Sequence, residues 1–341
     1  MRREAKYLWI LVVLSGSCAT RSEVSDSVLN GKDTTDVIHF NIVIAPDLSN
    51  RLNKQLYPKP VLDNEIVKII LSRYPDGIAK YRRLDGQRDK IRVSFINTAQ
   101  VSRYNVSPSE MQIDLSIFER QIDRIDYLRG KSEKSFKNDT VRFVKAFESL
   151  INRAQSEQFG SDIWSYLANL DDYWIYDGST MTELNKKVYR HSYRNILILL
   201  TDGYIEAGIY KNGGCPIDLR SCMFLSKERI EEFRKAYRLS KNSNLTDFFI
   251  ESGFEIRPVQ NNRMKKLEVL VLEVYDRSLT KGGTPTVYPA DMDILTLFWS
   301  KWLKDSGVSR FQIEANFASR EEAQETILDF ILSDHAPDVS N

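Results

Sequence analysis

The sequence predicts an α/β fold, a doubly wound and mostly parallel sheet carrying helical insertions. Two observations predict it. Strand-like and helix-like segments alternate along most of the chain. The strand-like runs, above all Val37–Ala45 and Asn195–Leu200, are almost continuously apolar, as strands buried on both faces must be. A composition of 42% hydrophobic and 28% charged residues in 341 positions is that of a globular chain with enough material for a sizeable core.

The N-terminus reads differently. Arg2, Arg3 and Lys6 precede an apolar run from Tyr7 to Leu14, then Ser15-Gly16-Ser17-Cys18. A basic start, a short apolar stretch and small residues describe a secretory signal, and the run falls well short of the roughly 20 residues a spanning helix needs. With Cys18 at the cut point the segment resembles the lipobox of bacterial lipoproteins. That resemblance implies a signal peptide over residues 1–17, lipidation of Cys18, and a membrane-anchored location in the cell envelope. Residues 18–36, rich in Ser, Thr and Asp, read as a flexible tether.

The folded region is expected over 37–333, with 334–341 as a tail. After the strand Val37–Ala45 comes a helix over Leu62–Arg73 with Asp63 as its N-cap, then a strand over Lys90–Ile96. Helices follow over Leu115–Leu128 and Val141–Ala154. Asn195–Leu200 reads as the central strand and Leu267–Val274 as another. A helix over Ile294–Leu303, a strand over Arg310–Ala315, and a last helix opened by Ser319 and Glu322 complete the pattern. Two tracts, near 155–194 and 204–266, interrupt it and read as insertions. The first holds an aromatic cluster from Trp164 to Tyr176, which suits packing better than a binding platform. The second holds Cys215 and Cys222, which an oxidising compartment would pair as a disulfide. Two free thiols, or half of a metal site, are the alternatives.

A net charge of +1 argues against nucleic acid as a partner, and no lysine-rich run points to electrostatic membrane binding. The Gly-x-Ser-x-Gly elbow, the P-loop, Gly-x-Gly-x-x-Gly and His-Glu-x-x-His are all missing. His39, His191 and His335 are scattered in sequence, with His39 in a strand and His335 in the tail, so no shared zinc site is expected.

In open parallel sheets ligands sit at the carboxyl ends of the strands. There the sequence offers Asp47-Leu48-Ser49-Asn50-Arg51 and Thr201-Asp202-Gly203, with Asn138-Asp139-Thr140 opening a helix between them. Taken singly, such residues also serve as turn formers and helix caps. In this order they resemble the von Willebrand factor A (vWA) domain, whose first loop is Asp-x-Ser-x-Ser. The resemblance implies a metal-ion-dependent adhesion site in which Asp47, Ser49, Thr140 and Asp202 would hold Mg²⁺, and a carboxylate of another envelope protein would complete the shell. It also implies a recognition domain and not an enzyme. The second Ser of the motif is replaced by Arg51, a fixed cation that cannot ligate a metal. Arg51 is expected either to pair with Asp47 or Asp202 or to point outward. Two other readings stay open: a metal-free scaffold whose acidic loop Arg51 neutralises, and a hydrolase using Asp47 as nucleophile.

The anchor is directly testable. Cys18→Ser should abolish the lipid mass increment of the mature chain and move it from the detergent to the aqueous phase on Triton X-114 partitioning.

Overall fold

The computed structural model describes residues 34–80, 87–97, 99–131, 134–156, 161–184, 187–206, 221–280 and 282–333. The lipobox, Cys215 and the tail 334–341 lie outside the described residues. The first strand, β1 (Thr34–Pro46), already includes Thr34, Thr35 and Asp36, which the sequence reading gave to the tether. In chain order follow α1 (Asp63–Arg73), β2 (Lys90–Val93), α2 (Ala99–Arg103), β3 (Gln112–Asp114), α3 (Gln121–Arg129) and α4 (Phe136–Ala154). Then come α5 (Ile163–Ala168), β4 (Thr180–Leu184), β5 (Lys187–Leu200), β6 (Ser221–Cys222), α6 (Lys227–Leu239), α7 (Leu245–Ser252) and β7 (Glu255–Ile256). The chain closes with β8 (Leu267–Val274), α8 (Asp291–Asp305), β9 (Arg310–Ala315) and α9 (Arg320–Leu332).

The main sheet has the order β3-β2-β1-β5-β8-β9, all parallel except β3, with β4 added antiparallel to the start of β5. The fold is therefore α/β with a mostly parallel sheet. Strand order reverses between β1 and β5, and the crevice at their carboxyl ends is the switch point where such folds place a ligand. Side chains alternate across the sheet. Ile42, Ile44, Ile196, Ile198, Leu270 and Leu272 face one core with α1, α4 and α9. Val43, Leu197, Leu199, Val269 and Val271 face a second core with α5, α6, α7 and α8. Burial on both faces explains why these strands read as unbroken apolar runs.

β5 extends well beyond the expected Asn195–Leu200. It pairs with β1 from Thr34↔Val188 to Pro46↔Leu200, so the end of the first predicted insertion is central strand. This long pairing joins two histidines that sequence alone leaves apart. The Arg88 amide donates to His39 Nδ1 (3.0 Å), so the other ring nitrogen carries the hydrogen. His39 Nε2–H then donates to His191 Nδ1 (3.0 Å), and His191 Nε2–H to Thr182 Oγ1 (2.8 Å). Burial, with the charges of Arg88 and Arg124, pushes the His191 pKa down to about 4, and the ring stays neutral at neutral pH.

Several local expectations change. Asp63 is the first residue of α1, not its N-cap, which is Leu62. α4 starts at Phe136 with Ser135 as N-cap, so Thr140 lies inside the helix and does not open it. α9 is capped by Ser319 as expected, although the Glu322 carboxylate takes the Ala318 amide. The aromatic tract packs as expected. Trp164 donates to the Arg257 carbonyl, and Tyr173 and Trp174 flank the buried Arg92 guanidinium, each ring centre 4.8 Å from it. Cys222 is fully buried and disulfide-bonded, while its expected partner Cys215 lies outside the described residues. Among the described residues no helix is long and apolar enough to cross a membrane.

Phe147 on α4 is fully enclosed in the first core. Phe147→Ala should lower stability by about 3–5 kcal/mol, read from equilibrium urea unfolding.

Candidate functional site

Register places three strand exits side by side. Asp47 follows β1 and donates its amide to the Leu200 carbonyl (2.8 Å); Thr201 follows β5 and donates its amide to the Leu272 carbonyl (3.0 Å). Beside them, Glu273 sits where the β8–β9 register slips. Its φ of 72° is a left-handed conformation, which costs a non-glycine residue on the order of 1–3 kcal/mol and needs support from its surroundings.

Asp47 and Asp202 are both buried and both supplied with donors. The Ser49 amide (2.9 Å) and Thr201 Oγ1 (3.0 Å) bind the two carboxylate oxygens of Asp47, the Ser49 contact closing an Asx-type turn. Asp202 accepts the Tyr204 amide (3.2 Å) on one oxygen and Arg277 (2.7 Å) on the other. The Arg277 guanidinium also binds Glu206 (3.0 Å) and lies 3.7 Å from the centre of the Tyr204 ring. Between Asp202 and Tyr204, Gly203 has φ 88°, and a Cβ there would meet Val274 Cγ1 at 2.9 Å, so only glycine fits.

Arg51 takes neither expected course. It is 3% exposed and touches no carboxylate oxygen of Asp47 or Asp202. Its Nε donates to the Asp47 carbonyl (2.8 Å), while its terminal nitrogens grip Asp63 and Glu273 (2.8 Å to the latter). Lys59 bridges the same two carboxylates from the other side. Two cations and two carboxylates thus form one enclosed group under the first loop. Burial opposes the charge on Asp63, but Arg51 and Lys59 outweigh it and hold that carboxyl well below the usual range. For Glu273 burial wins, with help from the Asp63 charge, and its pKa rises to about 7.

Thr140 belongs to the other end of the molecule. Phe136, in the first turn of the same helix, stacks on Tyr74. Tyr74 Oη donates to Asp89 (2.7 Å), which precedes β2 and accepts the Phe40 amide (2.8 Å). Phe40 to Asp47 is seven extended residues, so on the order of 20 Å separates the two ends. The Thr140 hydroxyl is buried with no hydrogen-bond partner among the described residues, but it cannot reach the Asp47 loop.

The four residues therefore do not fit a Mg²⁺ ion. Asp47, Ser49 and Asp202 converge, Thr140 does not, and a guanidinium occupies Asp202 where a cation would bind. Among the described residues there is no cluster of three or more His, Cys, Asp or Glu able to hold a metal. The sequence reading missed Lys59, Glu273 and Arg277. Two of these had a visible signal: Glu273 interrupts an otherwise apolar strand end, and Arg277 follows a third strand exit of the same kind as those after Ala45 and Leu200. No family model, curated protein or solved structure matches this chain.

Burial, opposed by Arg277 and reinforced by the Asp47 charge, pushes the Asp202 pKa up to about 6. An unfolded aspartate titrates near 4, so between these values the folded chain holds more protons and its stability falls as pH rises. Asp202→Asn should remove that fall. Urea unfolding at half-unit steps from pH 4 to 6.5 should show the wild type losing stability relative to the variant; parallel profiles would contradict the assignment.

Proposed function

We propose that this chain is a cell-envelope lipoprotein whose vWA-like domain recognises another protein without a metal ion. The observation that carries the metal-free form is the Arg277 guanidinium on Asp202, with Thr140 at the far end of the sheet. In the adhesion-site arrangement a bound cation draws together the acidic loops and presents positive charge to a partner. Here Arg277 supplies positive charge at the corresponding strand exit, and Arg51 with Lys59 balances the carboxylates beneath. Recognition rather than hydrolysis is favoured by Asp47 itself, which is 1% exposed and has a donor on each carboxylate oxygen, a poor state for a nucleophile. Leu56 and Leu279, 56% and 40% exposed, follow the Asp47 loop and Arg277 and offer apolar contact at the same end. The proposed envelope location rests on the lipobox, and the expected pairing of Cys215 with Cys222 accords with an oxidising compartment.

The Mg²⁺-dependent form is the second reading, because Asp47 and Asp202 do lie close enough for one charge to raise the pKa of the other. Calorimetric titration of Mg²⁺ or Mn²⁺ into the chain separates the two. No binding heat, and unchanged retention of an envelope partner in EDTA, is expected. Heat that disappears in Asp47→Ala would restore the metal site. Arg51→Ser is not a clean way to open such a site, because it strands Asp63 and Glu273 beside a single remaining cation. That change should cost about 3–5 kcal/mol of stability in urea unfolding.

A further inference from the structure

At the opposite end of the sheet from the acidic loops, a cavity of about 240 Å³ lies between the segment after α1 and helix α3. Its polar wall is Asp76, Lys80, Gln87, Gln121, Arg124 and Arg129, of which Asp76 and Lys80 pair with each other (2.7 Å), and Ile125 and Leu128 contribute to its apolar wall. Arg124 is the informative residue. It is only 6% exposed, yet its partners are uncharged: it donates to the Phe118 carbonyl and to Gln121 Oε1. Among the described residues no carboxylate lies within ion-pair distance of Arg124 or Arg129. The Arg88 charge lies near enough to add to the burial penalty on Arg124, and together these lower its pKa despite a weaker opposing pull from Asp123. A buried guanidinium with no ion-pair partner among the described residues, beside the cation of Arg129 and lining a cavity, is a site suited to an anion.

We propose that this cavity binds a phosphate group, with Arg124 and Arg129 as the donors and the Ile125–Leu128 wall receiving the apolar part of the molecule that bears it. Guanidinium forks match phosphate oxygens in geometry and charge. The site faces the end of the sheet where the chain enters at Thr34. If Cys18 carries a lipid, only residues 19–33 separate that end from the membrane, so an anionic phospholipid headgroup is within reach. A soluble phosphate ester offers the same chemistry.

The test uses the chain from residue 18 with Cys18→Ser, which leaves every described element intact and removes the lipid from consideration. Its probes are phosphatidylglycerol vesicles, phosphatidylcholine vesicles, and glycerol 3-phosphate in solution. Sedimentation with phosphatidylglycerol but not phosphatidylcholine vesicles, weakened at least tenfold in Arg129→Gln and in Arg124→Gln, is the expected result and identifies a headgroup. Saturable binding of glycerol 3-phosphate with the same sensitivity to both variants identifies a soluble ester. Arg129 is exposed, so its variant reports on binding even if Arg124→Gln unfolds. Absence of binding to any probe, or vesicle binding that both folded variants retain, would overturn the proposal. Neither result depends on whether the acidic loops bind a metal or a protein.

Discussion

Pairing of β1 with β5 along their full shared length is the constraint on which the rest of the molecule depends. The β1–β5 register runs unbroken from Thr34↔Val188 to Pro46↔Leu200, so once Ile42 stands beside Ile196, both ends of this strand pair are determined. At the carboxyl end the register brings Asp47 against Thr201 and Asp202. At the amino end it brings His39 against His191 and carries both strands beyond the start of β2. Both faces of this pair are packed, so a slip by one residue would exchange the two cores.

The carboxyl end shows how the fold manages concentrated acid without solvent. Asp47, Asp63, Asp202 and Glu273 are all nearly inaccessible, and ionised carboxylates in such positions are costly unless paired and hydrogen-bonded. Arg51, Lys59 and Arg277 meet that need from inside the chain. Such networks seldom add much net stability compared with an apolar core, but breaking one is expensive, which makes them good at specifying a single arrangement. The left-handed backbone at Glu273 is held in place by the same contacts. Where the adhesion-site pattern relies on an exchangeable ion, this chain has covalently attached cations that neither a chelator nor low metal can remove.

The two ends of the sheet match their charges differently. One gathers carboxylates with their cations built in; the other gathers Arg88, Arg124 and Arg129 beside the Lys80–Asp76 pair, and among the described residues no carboxylate lies within ion-pair distance of Arg124 or Arg129. A net charge of +1 conceals this division, because the sum over a chain says nothing of where its charges meet. It is also why a lysine-rich run is not the one form a cationic cluster can take: these cations come from separate segments that only the packing of α3 beside the end of α1 collects.

Fold class and most elements were legible in the sequence because they follow from local periodicity: continuous apolar runs for strands buried on two faces, and 3.6-residue spacing for helices such as α4 and α9. Asp47 and Asp202 were legible too, since a residue just past an apolar strand must stand at the sheet's carboxyl end. Thr140 was misplaced because a helix carries no mark of the direction in which it crosses a sheet, and α4 begins at the amino end. Arg51 was recognised as a departure from the motif, but its partners Asp63 and Glu273 lie 12 and 222 residues away, and only folding brings them to it. The sequence by itself determined the layers and the strand exits. Tertiary structure alone decided which charges meet there, because ion pairing depends on distances of a few ångströms that sequence separation does not encode.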